Sequence, residues 1–244
     1  MRLSKAWIVA SKDFKTFTKK KSILYSTLYF EIIVSIGLPF VLRYVTTKSP
    51  QAAAALPQLM SAFSFLYVIG GALLPITIAS YSLVGEKIQK SLEPLLATPT
   101  TDEEILAGKS IAALLPAIVV NLIGAMIFTV LVDLFTHDTL GYYYYPNWDI
   151  VIIILLLSPL VSLLSVGFNV LISSRSNDVR AAQQIGALIL LPFGAVYVLT
   201  ETRVVELTST NLLIMSAVLL AINIAMLFVV KATFQREEIL TRWK

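Results

Sequence analysis

The sequence has no cysteine and a single histidine, His137, among 244 residues. A chain without cysteine has no disulfide framework, no thiolate metal site and no cysteine nucleophile. One imidazole leaves almost nothing for histidine-based metal or acid–base chemistry. Charge is also scarce, at 14% of residues, against roughly 25% in soluble domains. In its place are apolar residues, 57% of the chain, and a mean hydropathy of +0.81. That balance puts the chain among polytopic membrane proteins. No signal peptide is expected at the N-terminus. The first apolar run follows seven basic residues and is too long for an h-region.

Six apolar segments are long enough to cross a hydrocarbon core of roughly 30 Å. They lie near residues 22–42, 59–84, 111–132, 150–172, 183–199 and 212–233. The second is longer than a bilayer requires and carries Gly70, Gly71 and Pro75, where a tilt or kink is expected. Pro39, Pro116, Pro159 and Pro192 fall in four of the others. Ahead of the first span, residues 1–21 carry seven Lys or Arg against Asp13 alone. Leu3, Trp7, Ala10, Phe14 and Phe17 recur there at steps of four and three, so they share one helical face. A basic face opposite an aromatic one suits an amphipathic helix in the headgroup layer.

Lys and Arg between the spans set the orientation. Sixteen lie in the N-terminal arm, the 85–110 loop, the 173–182 loop and the C-terminal tail, and three lie on the other side: Arg43, Lys48 and Arg203. Both termini are therefore expected in the cytoplasm of a multi-pass protein of the cell membrane. The outer loops are short. Residues 133–149 include Tyr142, Tyr143, Tyr144, Tyr145 and Trp148, readable as an aromatic belt at the headgroups or as a stacking platform for a sugar or drug. Residues 200–211 either re-enter the membrane as short helices or form an ordinary loop.

Few motifs carry chemistry. Gly108-Lys109-Ser110 resembles the end of a phosphate loop, but position 103 is Glu where such a loop needs Gly. The chain is not expected to hydrolyse ATP, and no catalytic, metal or cofactor site is expected in it. Glu31 is the one carboxylate well inside a span, and Thr27 and Ser35 lie one turn to either side. Acids at membrane depth face a bundle interior or a wet cavity. The three residues mark either a substrate pathway or a structural pair. Asn121, Asn169 and Asn223 suit interhelical hydrogen bonds.

The polar stretch from Gly85 to Lys109 is the densest in signals, with five of the fifteen acidic residues. Thr101-Asp102-Glu103-Glu104 is a capping box whose helix runs into the third span. Pro94 and Pro99 bracket a short apolar element, and Leu92, Leu95 and Leu96 have no obvious cover. They form a docking surface or fold back on the membrane.

Gly85-Glu86-Lys87, Ser91-Leu92-Glu93-Pro94-Leu95-Leu96-Ala97-Thr98-Pro99 and Glu104-Ile105-Leu106-Ala107-Gly108-Lys109 resemble the signature of ABC-2 type transporter permeases. The resemblance extends to six spans, an N-terminal elbow helix, and the second cytoplasmic loop with Ser174-Arg175-Ser176-Asn177-Asp178. Lys90-Ser91 departs from it, since many members carry Gly-Thr there. The resemblance implies an exporter's permease subunit that pairs with a second permease and binds separate ABC ATPase subunits. ATP would then act only through those partners. It implies ATPase coupling by Glu86, Leu92, Glu93, Leu95 and Leu96, with Arg175 and Asp178 as secondary contacts. The resulting expectation is an all-α integral membrane domain of six transmembrane helices over residues 1–244, in a lipid bilayer and with no nucleic-acid partner. The alternative is an ATP-independent channel or secondary carrier. No inverted repeat of the kind carriers use is evident. An intramembrane enzyme is disfavoured because no nucleophile–base or metal set is present.

Overall fold

The computed structural model describes residues 2–19, 21–48, 54–90, 98, 100–202 and 204–233. All regular structure among the described residues is helical. The chain begins with helix α1 (Leu3–Lys19) and continues through α2 (Lys21–Ile32) and α3 (Leu38–Lys48). Next come α4 (Leu56–Ile88), α5 (Asp102–Leu140), α6 (Trp148–Ile152) and α7 (Ser158–Arg175). Helices α8 (Val179–Gly186), α9 (Leu190–Glu201) and α10 (Ser209–Thr233) complete it. Six stretches are long and apolar enough to span a membrane: Thr27–Thr47, Leu56–Ile88, Asp102–Leu140, Trp148–Arg175, Val179–Glu201 and Ser209–Thr233.

Prolines explain where three of these spans depart from regular α-helix. A proline lacks the N–H that would reach the carbonyl four residues back, and its ring crowds that carbonyl. Residues Ile33–Gly37, ending two positions before Pro39, form a π-helical turn, as do Ile153–Leu157 before Pro159. In the fifth span a 3₁₀ turn, Ala187–Ile189, precedes Pro192. Pro75 and Pro116 are accommodated inside continuous helices.

Two helices are far longer than the apolar runs within them. Helix α5 has 39 residues, about 58 Å at about 1.5 Å each. It begins at the expected capping box: Thr101 Oγ1 accepts from the Glu104 N–H, and the Glu104 side chain accepts from the Thr101 N–H. Helix α4 has 33 residues and ends only at Ile88. Both exceed the thickness of a hydrocarbon core, so each carries the membrane-spanning frame into the polar loop between them.

The 173–182 loop expected from hydropathy shrinks to residues 176–178. Helix α7 runs to Arg175, and Asp178 caps α8, its Oδ1 accepting from the Arg180 N–H at 3.0 Å. Among the described residues 202 and 204–208 no helix forms. The tyrosine run divides. Tyr142, Tyr143 and Trp148 are exposed, as a belt requires, whereas Tyr145 is buried and donates to the Met60 carbonyl at 2.8 Å. Asp133 Oδ1 accepts from the Tyr144 and Tyr145 N–H groups, which turns the run inward.

Candidate functional site: a charged clamp and a polar layer

Helix α1 lies along the start of α5 rather than standing apart. Its buried stripe is Ala6, Val9, Ala10, Asp13 and Phe17. Trp7, on the face expected to enter the acyl boundary, is 54% exposed from the protein and meets Phe14 edge-on at 6.1 Å between ring centroids. Small residues displace the aromatic from the contact because the two backbones approach closely. A Cβ on Gly108 would sit 2.6 Å from the Ala6 carbonyl oxygen and 2.7 Å from Val9 Cβ. This close approach is a physical reason for the glycine of Gly108-Lys109.

The lysine has its own reason. Lys109 is buried at 2% exposure, and its ammonium lies 2.6 Å from Glu86 Oε2, 2.7 Å from the Ser82 carbonyl and 3.6 Å from Asp13 Oδ2. Lys12 takes the other Glu86 oxygen at 2.8 Å. Ser82 Oγ donates to Asp13 Oδ2 at 2.6 Å. Burial pushes the Asp13 carboxyl above its usual 3.8, against the opposing pull of Lys109 and of the Ser82 hydrogen bond. One charged cluster thus ties α1, the end of α4 and the first turns of α5.

Three further ties converge on the same end of the bundle. The Lys87 ammonium donates to the carbonyls of Ser173, Ser174 and Ser176 at 3.0, 2.7 and 3.1 Å, closing the end of α7. Cationic side chains satisfy the last carbonyls of a helix in this way. Glu104 Oε1 accepts from the Arg2 N–H at 2.7 Å, so one carboxylate serves the starts of both α1 and α5. Lys231 of α10 pairs with Glu103 at 3.0 Å. The basic arm, both polar loops and the end of α10 therefore meet at one end of the bundle.

Of the coupling residues implied by the sequence, Glu86 is buried in this clamp, whereas Arg175 and Asp178 are exposed at the turn beside it. Leu92, Glu93, Leu95 and Leu96 lie outside the described residues. Lys109, Asp13, Ser82 and Lys87 lie outside the coupling set, although Lys87 and Lys109 belong to the signature the sequence shows. The available signals were a lone acid in a basic arm and a lysine at the head of an apolar run.

A second polar set crosses the middle of the first four spans. Thr27, Glu31 and Ser35 are all buried on α2 and its π turn. Ser35 Oγ lies 3.5 Å from Glu31 Oε2 and 3.2 Å from the Tyr67 hydroxyl, which donates to the Gly124 carbonyl at 3.1 Å. Asn121 donates to the Tyr67 carbonyl and to Ser158 Oγ, both at 2.9 Å. Gly70, Gly71 and Gly124 let these groups approach: a Cβ on Gly124 would collide with Glu31 Oε2, and one on Gly71 would come 2.7 Å from Ser158 Oγ. Asn169 and Asn223 also bond across or along helices, to Ser80 or Ser165 and to Leu160. Most polar side chains of this layer are satisfied by neighbouring helices, as expected where water is absent, but Glu31 Oε1 has no hydrogen-bond partner among the described residues.

Six apolar helices carrying internal polar bridges define a polytopic membrane protein. A family model described as ABC-2 family transporter protein matches residues 7–231, and the chain belongs to that family. The match runs from Trp7 in α1 to Lys231 in α10, so it takes in the whole charged clamp. No curated protein matches the chain. The chain is thus a permease, the membrane-spanning part of an ABC-2 transporter.

Proposed function

We propose that this permease is an exporter subunit that works as a pair, driven by separate ATPase subunits seated against the 85–110 loop. Its termini face the cytoplasm, where ATP is available, and the sixteen-to-three division of Lys and Arg supports that orientation. Leu92, Glu93, Leu95 and Leu96 form the surface that meets the ATPase, with Arg175 and Asp178 beside it. Glu86 acts one step behind that surface. Its two bonds, to Lys12 and Lys109, hold the helix that enters the loop against the helix that leaves it. ATP-driven motion of the loop then moves α4 and α5 together, because the clamp leaves neither helix end free to yield alone. A ligand shifts such an equilibrium only through unequal contacts with its two states, so a stiff mechanical joint is what the mechanism requires. Thr27, Glu31 and Ser35 line the translocation pathway on this reading.

The observation that carries the proposal is the clamp between the two flanks of the loop in a chain belonging to a transporter family. The test is reconstitution of the permease with the ATPase that co-purifies with it. Leu95→Asp and Leu96→Asp each reduce coupled ATPase activity at least tenfold while the permease inserts normally. Unchanged activity in both removes the loop from the coupling role, and failure of any Walker-motif ATPase to co-purify removes the ATP-driven reading.

A further inference from the structure

A groove of about 260 Å³ runs along the third, fourth and sixth spans, between the start of α5, the middle of α7 and the end of α10. Leu106, Leu114, Leu163, Met226 and Val230 make its walls apolar, and only two of its lining residues are charged, Glu103 and Lys231. Those two sit together at one end, because α5 starts where α10 finishes. Leu114 lies eleven residues beyond Glu103, and Asn223 lies eight before Lys231. The groove therefore reaches about 12–17 Å inward at about 1.5 Å per residue. That is one leaflet deep, about half of a hydrocarbon core of roughly 30 Å. The charges at its mouth are accessible: the Lys231 and Glu103 side chains are 56% and 52% exposed while 3.0 Å apart. A pair so exposed contributes little and exchanges partners readily. Helix α10 leaves most of its surface uncovered within the chain, and Leu227 on the lip of the groove is 49% exposed.

We propose that this groove holds a phospholipid with an ethanolamine headgroup, one acyl chain lying along the apolar walls and the headgroup across the Glu103–Lys231 pair. The phosphate accepts from the Lys231 ammonium, and the lipid's primary ammonium, two carbons away, donates to the Glu103 carboxylate. Both charges of the protein and both charges of the lipid are then paired. A choline headgroup has no N–H to donate to Glu103. An anionic headgroup meets Glu103 beside the lysine that attracts it, so repulsion offsets the gain. The inference goes beyond the transport reading above: it needs neither ATP nor a partner subunit, and it does not depend on which way the chain faces.

The test is native mass spectrometry of the full chain, delipidated in detergent and offered equal amounts of dioleoyl phosphatidylethanolamine, phosphatidylcholine and phosphatidylglycerol. The native chain retains one phosphatidylethanolamine in preference to either competitor by about fivefold, the worth of one half-exposed charge pair. Glu103→Gln, a change at a half-exposed position outside the clamp, abolishes the preference over phosphatidylcholine and increases retention of phosphatidylglycerol. Ala107→Phe fills the groove from α5 and lowers retention of phosphatidylethanolamine at least tenfold in a chain that stays monodisperse. Leu227→Trp, at the exposed lip, takes its place if Ala107→Phe does not fold. Equal retention of the three lipids, a preference for phosphatidylglycerol, or a preference that survives Glu103→Gln overturns the proposal. So does retention that the groove-filling variant leaves undiminished. A native chain that retains no lipid also overturns it, and if that chain is a dimer dissociated by Ala107→Phe, the groove is an interface between two copies.

Discussion

At the residue scale, the clamp contains two kinds of ion pair, and burial separates them. Removing one partner of a buried pair leaves an uncompensated charge and costs about 3–5 kcal/mol. Lys109→Met is therefore expected to cost about that much, since its side chain is 1% exposed and two carboxylates face it. Lys12→Ala removes a half-exposed partner of Glu86 and costs under about 1 kcal/mol. Asp13→Asn lies nearer the second case. The Ser82 hydroxyl still has an acceptor, and the Lys109 ammonium at 3.6 Å is beyond hydrogen-bond distance. Its pH dependence has a definite sign. Because burial raises the folded carboxyl above 3.8, the Asp13 contribution is full below that value and is lost as pH rises through the folded one. Asp13→Asn should remove this portion of the slope. Thermal melts of the purified chain across acid to neutral pH check both the ranking and the sign; a Lys109→Met protein as stable as the native one would show the cluster to be idle.

At the scale of elements, the end of α4 carries a conformational cost. Gln89 closes the helix, and Lys90 follows with φ +53°, the left-handed region that favours glycine. A side chain there costs about 1–2 kcal/mol, while glycine costs about 0.5–1 kcal/mol through its freedom in the unfolded chain. Lys90→Gly should therefore stabilise the chain by up to about 1 kcal/mol, and the β-branched Lys90→Val should destabilise it, both read as shifts in melting temperature. This is the position where the ABC-2 signature commonly has Gly, so the departure visible in the sequence is a backbone requirement met at a cost. Other elements were legible for equally local reasons. The capping box at Thr101 depends on residues three apart; the irregular turns at residues 33–37 and 153–157 precede Pro39 and Pro159, whereas the kink expected from the sequence falls at Gly70, Gly71 and Pro75, which lie in a continuous helix. Hydropathy found all six spans but truncated α4 and α5, because their ends are helical and polar at once. The clamp was not legible. Asp13 and Glu86 are 73 positions apart, and nothing local says that Gly108 opens a close approach through which Lys109 reaches both.

At the scale of the whole molecule, the charged bridges gather at one end, while the far end is held by Asp133, Tyr144 and Tyr145. The first, fifth and sixth spans leave most of their surface uncovered within the chain, so those faces are the ones available to lipid or to a second copy. The charge count supports the proposal that the clamp end faces the cytoplasm, and the absence of cysteine makes this directly testable. Asn177 is exposed in the turn after α7, and the Asp138 side chain is 98% exposed near the end of α5. Single replacements Asn177→Cys and Asp138→Cys introduce the sole thiol into an otherwise thiol-free chain. In intact cells a membrane-impermeant maleimide should label Asp138→Cys and spare Asn177→Cys, with both labelled once the membrane is opened. The reverse pattern would place the clamp and the 85–110 loop outside the cell, away from ATP. That result would remove the ATPase from the loop, whatever the mutants of Leu95 and Leu96 showed.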